Sequence, residues 1–343
     1  MANSPRIAVD AMGGDFGPRV IVPALVASLR KHSGVSALLF GDQQKLAAEI
    51  SHCKDSSVLA RIHVRHCEAV VSGDDKPSTV LRHKRDSTMG LAVKAVAEGD
   101  AKACISAGNT GALMALGLVF LKTLPGISRP AICTTFPTSQ GRSYMLDLGA
   151  NLECSPQQLH QFALLGSLTA QALDGIVEPT IRLVNVGEEA GKGGQSMAET
   201  AALLSGDPLL NYQGYVEGDG IFEGSTDVVV CDGFTGNVAL KTSEGLATMI
   251  NGMFKARLKG SWTARIGAIF MRSLLLGLKS RLDPALYNGA YLLGLNGVVV
   301  KSHGGASEKA FGHALDVAIE AAKHNLPEVL SPILQGKIDN GIK

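Results

Sequence analysis

The chain has 343 residues, 45% of them apolar, and a formal charge of +1, which bounds it to roughly two globular units or one large two-lobed one with a sizeable core and points to no nucleic-acid partner through bulk charge. No run of about 18 uncharged apolar residues occurs, which argues against a membrane span, and the N-terminus reaches an apolar strand by Ile7 without a signal-peptide core. None of the six cysteines sits at C-x-x-C spacing, so neither a zinc site nor a redox pair is indicated, and scattered thiols fit a reducing, cytoplasmic setting.

Along the chain, predicted strands and helices alternate. Ile7–Met12 reads as a buried first strand. Gly13–Gly17 follow it, and Pro18 opens a helix that runs to about Lys31. The glycine spacing is not that of the dinucleotide fingerprint. Ala37–Gly41 and Ile62–Val64 are short strands with a helix between them. The basic run Arg82–Arg85 reads first as a solvated helix face and second as a contact for an acidic partner or a phosphate. Ala103–Ser106 is a strand that ends in the turn Ala107-Gly108-Asn109-Thr110-Gly111 before an apolar helix from Ala112.

Ser143–Leu148 is a further strand, continuing into Gly149-Ala150-Asn151. Ser155 and Gln158 form a capping box around Pro156 at the first helical position. Ile181–Val186 leads into a glycine loop from Gly187 to Gly194. That loop is not a nucleotide P-loop, because the glycine spacing is short and no Ser or Thr follows the lysine. Its Lys192 is either a point charge for a phosphate or oxyanion, or a solvated loop lysine.

Asp227–Glu244 repeats the strand-turn-helix design of residues 103–121 most fully. The strand Asp227–Cys231 ends in Asp232-Gly233-Phe234-Thr235-Gly236-Asn237, and a helix is predicted from Val238. Free N–H groups at such a helix start suit an anion. The plainer alternative is a tight turn capped by Asn237. Residues 253–282 then carry Lys255, Arg257, Lys259, Arg265, Arg272 and Lys279, with Trp262 and Phe270 among them. This basic amphipathic segment fits either an interfacial membrane helix or a helix pair at a dimer interface. Gly297–Lys301 is the last strand, followed by Ser302-His303-Gly304-Gly305 and a helix from Ala306 to Lys323.

Alternation of this kind implies an α/β fold with a doubly wound, largely parallel sheet. All the polar turns are then expected at one edge, beyond the carboxyl ends of the strands. Asp10, Asp147 and Asp232 form a conceivable magnesium set, but strand-end aspartates ordinarily cap turns and helices, so no metal is expected. Cys104 and Cys231 lie inside strands without an adjacent His and read as structural thiols. What remains suits phosphate binding without a nucleotide, and transfer without a covalent intermediate.

IAVDAMGGDFGP (7–18), SAGNTGALMA (106–115), MLDLGAN (145–151), NVGEE with GKG (185–193), DVVVCDGFTGNVALKTSEG (227–245) and GVVVKSHGGAS (297–307) together resemble the bacterial phosphate acyltransferases of phospholipid synthesis, the PlsX family. More distant similarity reaches the phosphotransacetylases. The resemblance implies a three-layer α/β/α fold of the isocitrate/isopropylmalate dehydrogenase type, with two lobes, a cleft and a helical extension. Lobe A is expected at about 1–150 plus 286–343, and lobe B at about 151–285 with the basic segment 253–282. The implied reaction takes a long-chain acyl group from acyl carrier protein to inorganic phosphate, with no cofactor. The rivals are a short-chain phosphotransacetylase-like enzyme and a dehydrogenase on the same fold.

On this resemblance Lys192, Asn237 and His303 are the expected catalytic residues. Asp10, Gly13, Asn109, Thr110, Gly111, Asp147, Asn151, Asp232, Thr235, Gly236 and Ser302 are expected around the phosphate and substrate. Ser302-His303-Gly304 stands where the phosphotransacetylases carry Ser-Arg-Gly. The basic segment is expected to meet anionic lipid, the acidic carrier protein, or both. A homodimer at the membrane periphery, feeding a membrane glycerol-3-phosphate acyltransferase, completes the implied picture.

Overall fold

The computed structural model describes residues 5–189, 191–260, 270–273, 277 and 283–339. The first half comprises β1 (Arg6–Asp10), α1 (Pro18–Lys31), β2 (Ser36–Gly41), α2 (Gln43–Ile50), α3 (Ser56–Leu59), β3 (Ile62–His66), α4 (Pro77–His83), α5 (Thr88–Ala97), β4 (Ala103–Ser106) and α6 (Thr110–Phe120). Next come β5 (Ala131–Thr138), β6 (Gly141–Leu146), α7 (Pro156–Asp174), β7 (Thr180–Val184), α8 (Gly194–Gly206), β8 (Asn211–Val216), β9 (Val228–Val230) and α9 (Gly233–Gly260). A 3-10 turn at Pro284–Tyr287 precedes β10 (Ala290–Leu293), β11 (Val298–Lys301), α10 (Glu308–Lys323) and α11 (Leu326–Asp339).

All the strands join one sheet in the order β3-β2-β1-β4-β11-β10-β5-β6-β9-β7-β8. Its central strands are runs of Val, Ile, Leu and Ala buried on both faces, as a sheet covered by helices on both sides requires. Ile7, Val9 and Ile105 pack with α1, α7 and α10. Ala8, Cys104, Val229 and Cys231 pack with α5, α6 and α9 on the other side. The result is the expected three-layer α/β/α arrangement. Local signals set several boundaries as predicted: Pro18 starts α1, and Ser155 with Gln158 forms the capping box of α7.

One expectation needs correcting. The polar turns do not share one edge of the strand ladder. β3, β2, β1, β4 and β11 run parallel to one another. β10, β5 and β6 are then paired antiparallel in succession, and β9, β7 and β8 follow β6 in parallel. The two parallel blocks therefore run in opposite directions along the ladder. β5 and β10, which reverse the direction, are strands beyond those predicted.

The last helix is held by a buried polar cluster. His160 on α7 lies 2.7 Å from Asp207 at the end of α8, and Lys337 on α11 pairs with the same carboxylate. Burial, and then the Lys337 charge, lower the His160 pKa and keep the ring neutral. Asp207 is held below the usual carboxylate range, because Lys337, the Leu209 N–H and His160 outweigh its burial. Below about pH 6.5 an unfolded His160 takes up a proton that the folded one refuses, so stability is lost as pH falls. Urea unfolding should therefore show a falling midpoint between pH 7 and pH 5, and His160→Gln should flatten part of that slope. An unchanged slope would show that the cluster does not titrate.

Candidate active site

The polar turns form two groups, one on each strand block. In the first, Asp10 ends β1 and Ser106 ends β4. The Ser106 hydroxyl donates to Asp10 Oδ2 at 2.6 Å and accepts the Gly108 N–H at 3.0 Å. Burial raises the Asp10 carboxyl above its ordinary pKa, against the hydrogen bonds it accepts. A Cβ on Gly13 would stand 2.6 Å from Asp10 Oδ2, so the loop after β1 approaches this carboxyl as only glycine can.

The turn after β11 closes the same group. Asp15 N–H donates to the Gly304 carbonyl at 2.9 Å. Asn288 positions the turn: its Nδ2 donates to Ser302 Oγ and to the Ala310 carbonyl, both at 2.8 Å, and its Oδ1 accepts the His303 N–H at 2.9 Å. Ser302 is fully buried and His303 is exposed. The Gly305 N–H donates to His303 Nδ1 at 3.1 Å. A neutral His303 therefore carries its proton on Nε2, where it is a donor toward solvent or substrate.

Asn109 caps α6. Its Oδ1 accepts the Ala112 N–H at 2.9 Å, and its Nδ2 ties down the loop carbonyls of Gly73 and Asp75 at 2.7 and 3.1 Å. The backbone N–H groups of Thr110 and Gly111 have no partner among the described residues. They form an open, anion-compatible helix start.

The second group lies where β6 and β9 end, and here the sequence reading of Asp227–Glu244 changes. The helix begins at Gly233, not Val238, so Thr235, Gly236 and Asn237 belong to its first turns. Its first donors are not free. Gly233 N–H reaches the Asn151 carbonyl at 2.7 Å, Phe234 N–H the Leu152 carbonyl at 3.4 Å, and Gly236 N–H the Asp232 carbonyl at 2.9 Å. Thr235 N–H reaches Asp232 Oδ1 at 2.7 Å, which makes Asp232, not Asn237, the cap. Asp147 is wholly buried and accepts the N–H groups of Ile132, Ala150 and Asn151 and the Asn151 side-chain amide. Asp147 and Asn151 are scaffold for the turn. Asn237 is exposed and lies against Gly149, with its Cβ 3.5 Å from where a Gly149 Cβ would stand.

Lys192 follows β7, the neighbour of β9, and is exposed. It pairs with Glu189 at 2.8 Å, which raises its pKa. The two groups meet through α9. That helix starts beside Asp147 and packs against the 3-10 turn 284–287 ahead of Asn288. Its Lys241 is near enough to lower the pKa of Lys301 at the end of β11. Asp10, Asp147 and Asp232 do not converge, and no cluster of three or more metal-binding side chains occurs among the described residues. Cys104 and Cys231 are buried, and burial pushes both thiols up.

Of the basic segment, Lys255, Arg257, Phe270 and Arg272 are described and exposed. Trp262, Arg265, Lys279 and the side chain of Lys259 lie outside the described residues. Lys255 and Arg257 sit on α9, whose exposed surface includes Phe234, Val238, Leu246, Met249 and Met253. No described helix is long and apolar enough to cross a membrane. Lys301, Asn288 and Asp15 join the first group of turns, and the sequence reading did not include them. The available signals were a lysine closing the apolar run Val298–Val300 and the pair Asn288-Gly289.

Residues 5–329 match the family described as fatty acid synthesis protein. A phosphate acyltransferase from Alcanivorax borkumensis is 49% identical over 328 residues, covering 96% of this chain and 97% of the relative. One from Saccharophagus degradans is 47% identical over 344 residues, covering 100% and 99%. The chain belongs to the phosphate acyltransferase family. It is an enzyme of the acyltransferase class. Among solved structures, a phosphotransacetylase from Streptococcus pyogenes matches with a TM-score of 0.63 at 16% identity, over 94% of this chain and 95% of that one. A 4-hydroxythreonine-4-phosphate dehydrogenase from Burkholderia phymatum matches at 0.50 and 16%, over 92% and 98%. At such identities the likeness concerns the fold alone, and the dehydrogenase alternative has no other support.

The lock between α9 and the 147–152 turn is testable. A Cβ on Gly236 would stand 1.9 Å from the Asp147 carbonyl oxygen, whereas Gly245, further along α9, faces open space. Gly236→Ala should destabilise the fold by about 3 kcal/mol, and Gly245→Ala should be neutral or stabilising by up to about 1 kcal/mol. Equal thermal midpoints for the two variants would contradict this packing.

Proposed function

We propose that the chain transfers a long-chain acyl group from acyl carrier protein to inorganic phosphate, releasing acyl phosphate and the free carrier thiol for phosphatidic acid synthesis. The observation that carries this is the near-full-length identity to phosphate acyltransferases, 44–49% in the relatives compared. The geometry adds an open helix start at Thr110 and Gly111 and a histidine with an Nε2 donor. The cysteines at the strand ends are buried and held protonated, so they do not compete as nucleophiles.

In this reading the Thr110 and Gly111 N–H groups seat the phosphate. Asp10, Gly13, Asn109 and Ser302 hold the walls of the seat, and Asp147, Asn151, Asp232, Thr235 and Gly236 hold the facing wall. Phosphate is largely dianionic at neutral pH and needs placing more than deprotonating. One of its oxygens forms a bond to the thioester carbonyl carbon, and the carbonyl electrons move onto oxygen. The Asn237 amide, with Lys192 released from Glu189, stabilises that oxyanion. The C–S bond then breaks, and the leaving thiolate takes the proton that hydrogen phosphate gives up on becoming an acyl phosphate, while the His303 Nε2–H orients the phosphate by a hydrogen bond. Two lobes flank the cleft in which this happens.

The exposed apolar stripe of α9 with Lys255, Arg257, Phe270 and Arg272 suits anionic lipid or an acidic carrier protein. A peripheral, homodimeric enzyme at the cytoplasmic membrane face would hand acyl phosphate to a membrane acyltransferase that acylates glycerol 3-phosphate. The test is direct. Incubation with long-chain acyl carrier protein and phosphate should give a hydroxylamine-trappable product, and Asn237→Ala should lower kcat about 10²–10³-fold. Product formed from short-chain coenzyme A thioesters alone would favour the phosphotransacetylase-like reading instead.

A further inference from the structure

Lys301 is a mostly buried cation that no structural feature accounts for. It pairs with Ser106 across β11 and β4, and Ser106 in turn holds Asp10 of β1. Asp10, Ser106 and Lys301 lie two residues beyond Ala8, Cys104 and Val299, which share the face covered by α5 and α6. By strand periodicity the three polar side chains end adjacent strands on that face. An ammonium has three N–H donors. Lys301 spends one on the Ser302 carbonyl, and it forms no ion pair among the described residues.

Asp10 and Asp15 are near enough to act on its charge, but less strongly than burial and Lys241 oppose it, and neither forms an ion pair with it among the described residues. Asp10 on β1 is occupied by Ser106 and the Met12 N–H. Asp15, in the loop before α1, has its carboxylate beside Gly304 and Gly305. His303, on the same turn, spends Nδ1 on Gly305. From α9 comes a second cation, Lys241, itself paired with Glu244 at 2.8 Å. A buried cation facing another cation, with donors unused, is costly unless an anion completes the arrangement.

We propose that Lys301 is a phosphate-binding residue of this acyltransferase, supplying the counter-charge for the dianion seated at the Thr110–Gly111 helix start. The proposal deepens, and rests on, the reading that inorganic phosphate is the acyl acceptor. Its fit to the chemistry is that a lysine delivers charge without fixed geometry, so it can follow the phosphate as its oxygen moves onto the carbonyl carbon. Burial, joined by Lys241, lowers the Lys301 ammonium to about 8. The ammonium is the main form at pH 7, and its charge is lost as pH rises through that value.

Lys301→Met should raise the KM for phosphate at least tenfold at pH 7, with a smaller change in the KM for acyl carrier protein thioester. Its thermal midpoint without phosphate should equal or exceed that of the wild type, because an unpaired buried charge has gone. The upward shift that inorganic phosphate gives the wild type should be lost. Lys301→Arg supplies the control: in the wild type the phosphate KM rises above about pH 8, and in the arginine variant that rise disappears, because guanidinium stays charged. A phosphate KM within twofold of wild type in Lys301→Met, with the thermal shift intact, would overturn the assignment. If Lys301→Met fails to fold, an unaltered pH profile in Lys301→Arg would overturn it equally. Absence of acyl phosphate synthesis by the wild type would instead refute the functional reading, and the phosphate-induced thermal shift would still report on Lys301.

Discussion

The start of α9 lies on the carbonyl oxygen of Asp147 with room for a hydrogen and nothing larger at Gly236. Much of the site geometry follows from that contact. The helix cannot start there unless the 147–152 turn presents its carbonyls, and the turn cannot hold its shape unless Asp147 gathers four donors around one buried carboxylate. Burial pushes the Asp147 pKa up, while those hydrogen bonds favour its charged form. The same contact fixes the direction in which α9 leaves β9. It therefore fixes where Lys241 arrives opposite β11 and where the exposed apolar stripe faces outward.

The reversal of strand direction at β10, β5 and β6 gives the enzyme two kinds of strand end. One block offers glycine loops, an open helix start and a histidine turn, which are groups suited to an anion. The other offers Asn237 on a rigid helix and Lys192 on a glycine loop, which are groups suited to a polarised carbonyl. α9 starts in the second block and packs against the 3-10 turn that precedes β10 and β11. In the proposed reaction each substrate would be held by its own set of groups.

How much of this could be read beforehand follows the range of each interaction. Pro18, the Ser155–Gln158 capping box and the apolar strands act over a few residues, and the sequence displays them openly. The occupied donors of α9 could not be read, because Asn151 and Leu152 lie some eighty residues upstream. Asp232, Thr235 and Asn237 looked alike as polar turn residues, and only the true helix start separates cap from open side chain. Strand direction is invisible in short apolar runs such as β10, so a single edge was the natural and mistaken expectation. Asn288 carried no signal beyond an Asn-Gly pair, since its importance comes from the turn it holds fourteen and fifteen residues later.

An anion seat that contains a carboxyl group needs a physical reason for its sign. Asp10 stands at the heart of the first group, and a bare carboxylate there would repel a dianion. Burial disfavours its charge, and the Ser106 hydroxyl and the Met12 N–H occupy its two oxygens. Asp10 acts on the turn by position: it orients Ser106, which accepts the Gly108 N–H at the entrance to α6. Lys301, in the same row, is drawn toward neutrality from the opposite sign. A phosphate entering between them would favour both the charged lysine and the protonated acid.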